Sequence, residues 1–186
     1  MLEFNLPTYL TLLRIALIPL LVIIFYIPWE YSNLLCALIF FVAAVTDWLD
    51  GYLAREMGQE TAFGAFLDPV ADKLMVAIVL VLLVQEEATP WIAIPAIIII
   101  GREITIASLR EWMAEIGERK KVAVSNLGKW KTGFQMLALF CLLYRTDVLG
   151  LPVRQIGYTA LYLSAILTIW SMIGYLKVAM QTIIKK

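Results

Sequence analysis

Six stretches of this 186-residue chain are long and apolar enough to cross a lipid bilayer. Each approaches the roughly 20 apolar residues that a membrane-crossing helix needs, and they lie near residues 8–29, 33–50, 66–85, 88–109, 127–145 and 156–177. Hydrophobic residues make up 62% of the chain, against about 45–50% in soluble proteins. Because lipid cannot hydrogen-bond a backbone, the sequence predicts an all-α bundle of six transmembrane helices, forming one membrane-embedded domain over residues 1–186.

The charges of the chain are balanced in number but not in position. Fifteen basic and fifteen acidic residues give a net charge of zero. The basic residues concentrate after the fourth apolar stretch and at the C-terminus: Arg110, Arg119, Lys120, Lys121, Lys129, Lys131, Lys177, Lys185 and Lys186. Since cytoplasmic segments of membrane proteins are enriched in Lys and Arg, both termini and the basic segment are predicted to face the cytoplasm.

Four aspartates flank the junction between the second and third apolar stretches. Asp47 and Asp50, in "TDWLDGYLARE", end the second stretch, and Asp68 and Asp72 begin the third. The polar segment "REMGQETAFG", residues 55–64, is predicted to be a loop that turns the chain between them. Residues three or four apart share a helix face, so the two aspartates of each pair are expected to lie on one face of their helix. Both pairs are expected at the same depth, near the cytoplasmic surface of the membrane.

Four carboxylates at the same depth in a membrane repel each other unless cations bind between them. A single acid at the end of a membrane span, by contrast, often only contacts the water at the interface. Oxygen ligands suit hard divalent ions such as Mg²⁺ or Mn²⁺. The chain has no histidine, so a general base must be another group, most simply a carboxylate. Two metals beside a membrane-embedded cleft are typical of phosphoryl transfer.

Residues 47–72 match the pattern D-x-x-D-G-x-x-A-R-x8-G-x3-D-x3-D without a mismatch. This pattern resembles the signature of the CDP-alcohol phosphatidyltransferases, integral membrane enzymes with six transmembrane helices. The stretches "NLPTYLTLLRIALIP", "FGAFLDPVADK", "GREITIASLREWMAE" and "VAVSNLGKWKT" are similar to bacterial members that use sn-glycerol 3-phosphate as the acceptor alcohol. The likeness covers most of the chain.

The resemblance implies a role for each residue of the signature. Asp47, Asp50 and Asp68 would hold two divalent metals, while Asp72 would contact one metal and act as general base. Arg55 would bind a phosphate of the nucleotide through its fork of donors. The other residues implied to bind the CDP-lipid, together with Asp50, are Gly51, Ala54 and Gly64 of the signature and Asn5, Thr11 and Arg14 of the first helix.

The resemblance also implies substrates, assembly and location. The substrates would be CDP-diacylglycerol and sn-glycerol 3-phosphate, and the products phosphatidylglycerophosphate and CMP. The protein would be a homodimer among the lipids of the bacterial inner membrane, with its active site at the cytoplasmic face. A nucleic-acid partner is not expected.

The acceptor is a dianion, so its pocket needs cations. Arg102 lies within the fourth apolar stretch, where a guanidinium is costly unless it faces a polar cavity or a carboxylate. Glu103 is predicted to be a poor partner because it points elsewhere on the helix. Arg110 lies on the same helix face as Arg102, and Lys129 and Lys131 begin the fifth stretch. These four basic residues are predicted to bind the acceptor phosphate, although topology or anionic lipids would also explain the lysines.

Other functions also fit parts of the pattern. The same chemistry could use another alcohol, such as serine, phosphatidylglycerol or inositol phosphate, because the signature does not specify the acceptor. A metal transporter also carries acids within the membrane, but the fifth and sixth stretches have none. A prenyltransferase pairs aspartates with Mg²⁺, but it leaves the G-x-x-A-R element unexplained.

Overall fold

The structure, a computed structural model, describes residues 6–57, 62–118 and 126–184, with side chains for 8–47, 49, 63–64, 66–118 and 130–182. Within these residues the chain forms six α-helices. In chain order they are α1 (Leu6–Tyr26), α2 (Ser32–Met57), α3 (Ala62–Glu87), α4 (Pro90–Glu115), α5 (Asn126–Tyr144) and α6 (Val153–Ile184). The prediction of an all-α fold is confirmed, and one helix covers most of each predicted span.

The predicted loop over residues 55–64 is wrong at both ends. Helix α2 continues through Met57, and α3 begins at Ala62, so residues 55–57 and 62–64 are helical. Arg, Glu and Met have high helix propensity, and a helix that leaves the apolar layer does not have to end there. The Gly51–Arg55 segment of the signature therefore lies on a helix.

Short sequence signals determine where α4 begins and ends. Thr89 has an extended backbone before Pro90, and proline at the first helical position is favoured because it lacks an N–H that would have no helical partner. At the other end Gly117 has a φ of 81°. The amide of Gly117 donates to the carbonyl of Ala114 (3.0 Å), and that of Glu118 donates to the carbonyl of Met113 (2.8 Å). This is a Schellman motif, which satisfies the last carbonyls of the helix.

The chain divides into two compact units. The first comprises Met1–Glu86 and Leu139–Arg154, and it contains α1, α2, nearly all of α3 and the end of α5. Its core includes Leu21, Phe40, Val79, Leu83 and Leu142, all of which are buried. At one end the Tyr26 hydroxyl donates to Gln85, and Arg145 pairs with Glu86, so polar contacts join α1 to α3 and α3 to the residue after α5.

The second unit comprises Glu87–Ala138 and Gln155–Lys186, and it contains α4, most of α5 and nearly all of α6. Its apolar core includes Ile92, Ile99, Met113 and Leu161. The Tyr162 hydroxyl donates to the carbonyl of Trp91 (2.9 Å). The prediction of a single domain stays a prediction.

Three of the helices in the described part of the chain are long and apolar enough to cross a membrane: Thr8–Tyr26, Pro90–Glu115 and Val153–Thr182. A shorter apolar helix covers Ser32–Asp47. Large apolar side chains such as Trp91, Ile97 and Trp170 are exposed, as expected of surfaces that face lipid rather than water. The protein is thus a helical membrane protein, and the crossing of the bilayer by all six helices stays a prediction.

Candidate active site

An arginine of α1 joins an aspartate of α2 to an aspartate of α3. Nη1 of Arg14 lies 2.6 Å from Oδ1 of Asp47 and 3.2 Å from Oδ1 of Asp68. The Arg14 side chain is 1% exposed, whereas the aspartate side chains are 37% and 45% exposed. Because both carboxylates contact the same nitrogen, their Oδ1 atoms lie within about 6 Å of each other, a distance at which like charges repel and a cation is needed.

Helical spacing extends this cluster along α2 and α3. Asp72 is partly buried and follows Asp68 by one turn of α3, so the two share a face. Asp50 follows Asp47 by three residues in α2, but its side chain lies outside the described residues. The structure therefore brings together Asp47, Asp68 and Arg14, with Asp72 on the same face of α3 as Asp68.

The polar face of α1 is buried within the first unit. Thr8, Thr11 and Arg14 are 1–2% exposed and recur every three residues. Thr11 and Arg14 were predicted from the sequence to be site residues, and Thr8 was missed although the same spacing identifies it. Gly64 lies in the first turn of α3. Asn5 and the side chains of Ala54 and Arg55 lie outside the described residues, as do any contacts of Gly51.

The carboxylate cluster fits a divalent cation in its chemistry. Its donors are oxygens from neighbouring helices, and two of them already converge on one positive charge. Among the described side chains, no three acidic or cysteine residues gather closely enough to hold a metal. The side chain of Asp50, the remaining acid of the signature, lies outside the described residues.

A second polar cluster lies in the second unit, around Glu103 of α4. Nη1 of Arg102 donates to Oε1 of Glu103 (2.7 Å), and Nζ of Lys131 donates to the same oxygen. Nη2 of Arg102 also donates to Oγ of Ser171 (3.3 Å). Arg102 and Lys131 are both buried, and Glu103 is a counter-ion that the two cations share.

The prediction that Glu103 is a poor partner for Arg102 is wrong. Adjacent residues leave the helix about 100° apart, but the long, flexible stem of arginine lets its guanidinium bend round to a neighbouring carboxylate. A signal was present in the sequence, since Glu103 is an acid within a span and needs a cation there.

Arg110 joins this cluster through Tyr175 of α6. Nη2 of Arg110 donates to the Tyr175 hydroxyl (3.2 Å). The guanidinium carbons of Arg102 and Arg110 lie 5.8 and 5.4 Å from the centre of the Tyr175 ring, within cation–π range. The prediction that these arginines share a face is confirmed. Lys129 lies in α5, but its side chain is outside the described residues.

The sequence did not predict that Tyr175 and its polar neighbours on α6 belong to this cluster. The sequence favours packing for Tyr175, and the residue does belong to an apolar cluster with Ile106, Met113 and Ala179. Ser164, Thr168 and Ser171 precede it on the same face and are buried. Small hydroxyl residues are common in transmembrane helices, so their presence in the α6 sequence does not indicate a site. The packing of α4 and α5 against α6 shows that this row of hydroxyl residues lies beside charged groups.

Comparison with known proteins bears on what the two clusters do. The sequence profile of the CDP-alcohol phosphatidyltransferase family matches residues 4–170. The chain belongs to this family. The matched region contains Arg14, the whole acidic signature of residues 47–72 and the charged residues of the second cluster, whereas Ser171 and Tyr175 lie just beyond its end.

Members of this family from several bacteria are similar to the chain over nearly its whole length. A protein of Haemophilus influenzae is 60% identical over 177 residues, which are 95% of this chain and 94% of that protein. One of Pectobacterium atrosepticum is 56% identical over 98% of this chain and 99% of its own length. One of Salmonella choleraesuis is 51% identical over 95% and 96%. All three are named CDP-diacylglycerol–glycerol-3-phosphate 3-phosphatidyltransferase.

Proposed function

We propose that this protein transfers the phosphatidyl group of CDP-diacylglycerol to the 1-hydroxyl of sn-glycerol 3-phosphate, yielding phosphatidylglycerophosphate and CMP. The observation that carries this proposal is identity of 51–60%, over nearly the full length, to relatives named for that reaction. The acidic cluster on α2 and α3 and the buried cations of the second unit supply the kinds of groups that the reaction requires. The other acceptors and the other classes of protein are outcomes of the test below.

The residues of the first unit are proposed to act on the pyrophosphate and the attacking hydroxyl. Asp72 accepts the proton of the hydroxyl as the oxygen attacks the phosphorus on the lipid side. The bond from that phosphorus to the oxygen of CMP then breaks, and CMP leaves with the electron pair. Arg55 neutralises the nucleotide phosphate, and Gly51, Ala54 and Gly64 leave room for the cytidine nucleotide beside Asn5, Thr11 and Arg14.

Members of the family generally use a divalent metal. Asp47, Asp50, Asp68 and Asp72 would hold two such ions, Mg²⁺ or Mn²⁺, because all four offer hard oxygen donors. Bound there, the metals would neutralise the phosphate oxygens and the developing charge on CMP. The ion pairs of Arg14 support the site, since they show that Asp47 and Asp68 face a common position that attracts positive charge.

The cations of the second unit are proposed to bind the phosphate of the acceptor. Arg102, Arg110 and Lys131 are held by Glu103, Ser171 and Tyr175. Nε of Arg102 and Nε of Arg110 are buried without a hydrogen-bond partner among the described residues, so each retains donor capacity. A dianionic phosphate matches the fixed fork of arginine donors, and Lys129 would add a further charge.

The distribution of charge supports a location for this chemistry. From the basic residues after α4 and at the C-terminus we infer that both termini and the active site face the cytoplasm, and we propose the bacterial inner membrane as the location. All six helices cross the bilayer in this proposal. The protein is proposed to function there as a homodimer among membrane lipids, as the family resemblance implies.

The decisive experiment measures CMP release by the purified protein from CDP-diacylglycerol. We expect release to require sn-glycerol 3-phosphate and Mg²⁺ or Mn²⁺, to stop in EDTA, and to return when metal is restored. Serine and phosphatidylglycerol should react at least about 100-fold more slowly, because neither carries the dianionic phosphate that the buried cations are proposed to bind. Inositol phosphate does carry one, so its slower reaction should come from the size of its ring rather than from charge. A faster reaction with another alcohol would reassign the acceptor. Full activity in EDTA, or metal flux in proteoliposomes without CMP release, would contradict the proposal.

Replacing Arg110 with Ala tests the acceptor pocket. We expect the KM for sn-glycerol 3-phosphate to rise about 10- to 100-fold, because a hydrogen bond to a charged group is lost. The KM for CDP-diacylglycerol should change less than about threefold. Arg154→Ala, which removes an exposed arginine of the other unit, is the control and should change neither constant. Equal rises in both constants for Arg110→Ala would remove it from the acceptor pocket.

A further inference from the structure

The outer face of α6 carries an apolar groove that the proposed reaction does not use. It encloses about 460 Å³, within the range of roughly 300–1,000 Å³ typical of small-molecule sites. Its lining residues are Ile166, Ile169, Trp170, Ile173, Gly174 and Lys177. All six lie in the second unit, and none contributes to the buried row of hydroxyl residues on α6.

The groove follows one side of the helix because its residues recur at intervals of three and four. Trp170 is 68% exposed and Ile166 is 57% exposed, so these large apolar side chains face away from the protein. They lie within Val153–Thr182, a segment apolar enough to cross the membrane. Exposure of such an apolar surface to water is unfavourable, whereas a lipid acyl chain can pack against it.

The length of the groove matches one leaflet of a bilayer. From Ile166 to Lys177 the helix rises about 16 Å, at 1.5 Å per residue. The hydrocarbon layer of a membrane is about 30 Å thick, so the groove spans about half of it. Lys177 ends the groove on the side of the basic C-terminus, where the positive-inside rule places the cytoplasmic head groups.

We propose that this groove binds an anionic glycerophospholipid of the inner leaflet. One acyl chain lies along Ile166, Ile169 and Ile173, and the lipid phosphate pairs with the Lys177 ammonium. Charge selects the occupant, since Lys177 is the charged residue among the described residues that line the groove, and a zwitterionic head group satisfies it less well. The lipid is a resident of the groove rather than the substrate, and the inference rests on the proposed orientation of the chain but not on the proposed reaction.

Gly174 provides a way to close the groove without disturbing the protein. A Cβ built on Gly174 meets no atom within 4 Å, so a larger side chain there enters open space. Gly133 of α5 is also helical with open space at its Cβ, but it lies outside the groove. Gly174→Leu and Gly133→Leu therefore form a matched pair, because both exchange glycine for leucine in an exposed stretch of helix.

The test uses Trp170 as a reporter of the lipid beside it. The full-length protein is placed in bilayers containing phospholipids brominated on their acyl chains, which quench tryptophan on contact. The signal of Trp170 is obtained by difference from a Trp170→Phe variant. We expect brominated phosphatidylglycerol to associate about fivefold more strongly than brominated phosphatidylcholine. This is the preference expected from the attraction between one lysine and the net negative charge of an anionic lipid.

The variants separate the contributions of charge and space. Lys177→Gln should abolish the preference for phosphatidylglycerol while leaving quenching by phosphatidylcholine unchanged. Gly174→Leu should weaken quenching by both lipids, and Gly133→Leu should behave like the unmodified protein. Each result is scored only on protein that remains monodisperse in detergent.

Three results would overturn the inference. Equal quenching by the two lipids in the unmodified protein would exclude a site selective for negative charge. Loss of a dimer in Gly174→Leu but not in Gly133→Leu would assign the groove to a second copy of the chain. A raised KM for CDP-diacylglycerol in Gly174→Leu alone would assign it to the substrate.

Discussion

Replacing Asp72 with Asn is expected to lower kcat for CMP release by about 10³-fold, as the loss of a general base does. The amide keeps the size of the carboxylate but cannot accept the proton of the attacking hydroxyl. Asp72 shares a face of α3 with Asp68, and the chain has no histidine to replace it. Binding of CDP-diacylglycerol should remain measurable, because the remaining aspartates and the nucleotide pocket are retained.

The measurement is single-turnover CMP release at saturating sn-glycerol 3-phosphate and metal, with lipid binding followed separately by the rise in melting temperature that CDP-diacylglycerol produces. Glu115→Gln is the matched control, since it removes an exposed carboxylate of α4. That variant should retain full activity. Turnover close to normal in Asp72→Asn would remove this residue from the role of base.

Replacing Glu103 with Gln is expected to lower the melting temperature in detergent by about 6–12 °C. Glu103 is a counter-ion shared by Arg102 and Lys131, whose side chains are 9% and 5% exposed. Removing one partner of a buried pair leaves the other charge uncompensated, which costs about 3–5 kcal/mol. Because the amide still accepts hydrogen bonds, the lower cost of about 3 kcal/mol applies. Each kcal/mol lowers the melting temperature of a chain of this size by about 2–4 °C, which gives the expected drop.

A double-mutant cycle tells whether the loss comes from the ion pair. Lys131→Met removes one of the two cations, so adding it to Glu103→Gln should recover part of the stability. The recovery is expected because replacing a buried pair with apolar or neutral groups costs less than breaking it. Glu111→Gln, an exposed acid of the same helix, should leave the melting temperature unchanged. Strictly additive losses would show that Glu103 and Lys131 do not stabilise each other.

Much of the fold was predictable because a membrane leaves a chain few choices. The apolar stretches had to be helices, since lipid cannot satisfy an exposed backbone, and the structure has a helix at each of them. The polar segment after Arg55 was harder, because polarity marks the end of the apolar layer and not the end of a helix. Helix α2 therefore extends to Met57, beyond the predicted end of its span.

The candidate site was predictable where its residues repeat along one helix. Helical spacing places Asp72 beside Asp68, and it places Arg110 on the face of Arg102. Pairings between helices were not predictable in this way. The sequence does not reveal that Arg14 contacts both Asp47 and Asp68, or that Tyr175 meets two arginines, because those contacts depend on how separate helices pack.

The sequence alone determined that the chain is a helical membrane protein, that four acids flank one helix junction, and that these acids match a phosphatidyltransferase signature. These properties depend on composition and on spacing within a helix, which the chain carries locally. The tertiary structure alone decided which cation meets which carboxylate, including the shared role of Glu103 between Arg102 and Lys131. Long charged side chains bend towards whatever partner the packed helices bring within reach, so a buried charge finds its partner only when the chain has folded.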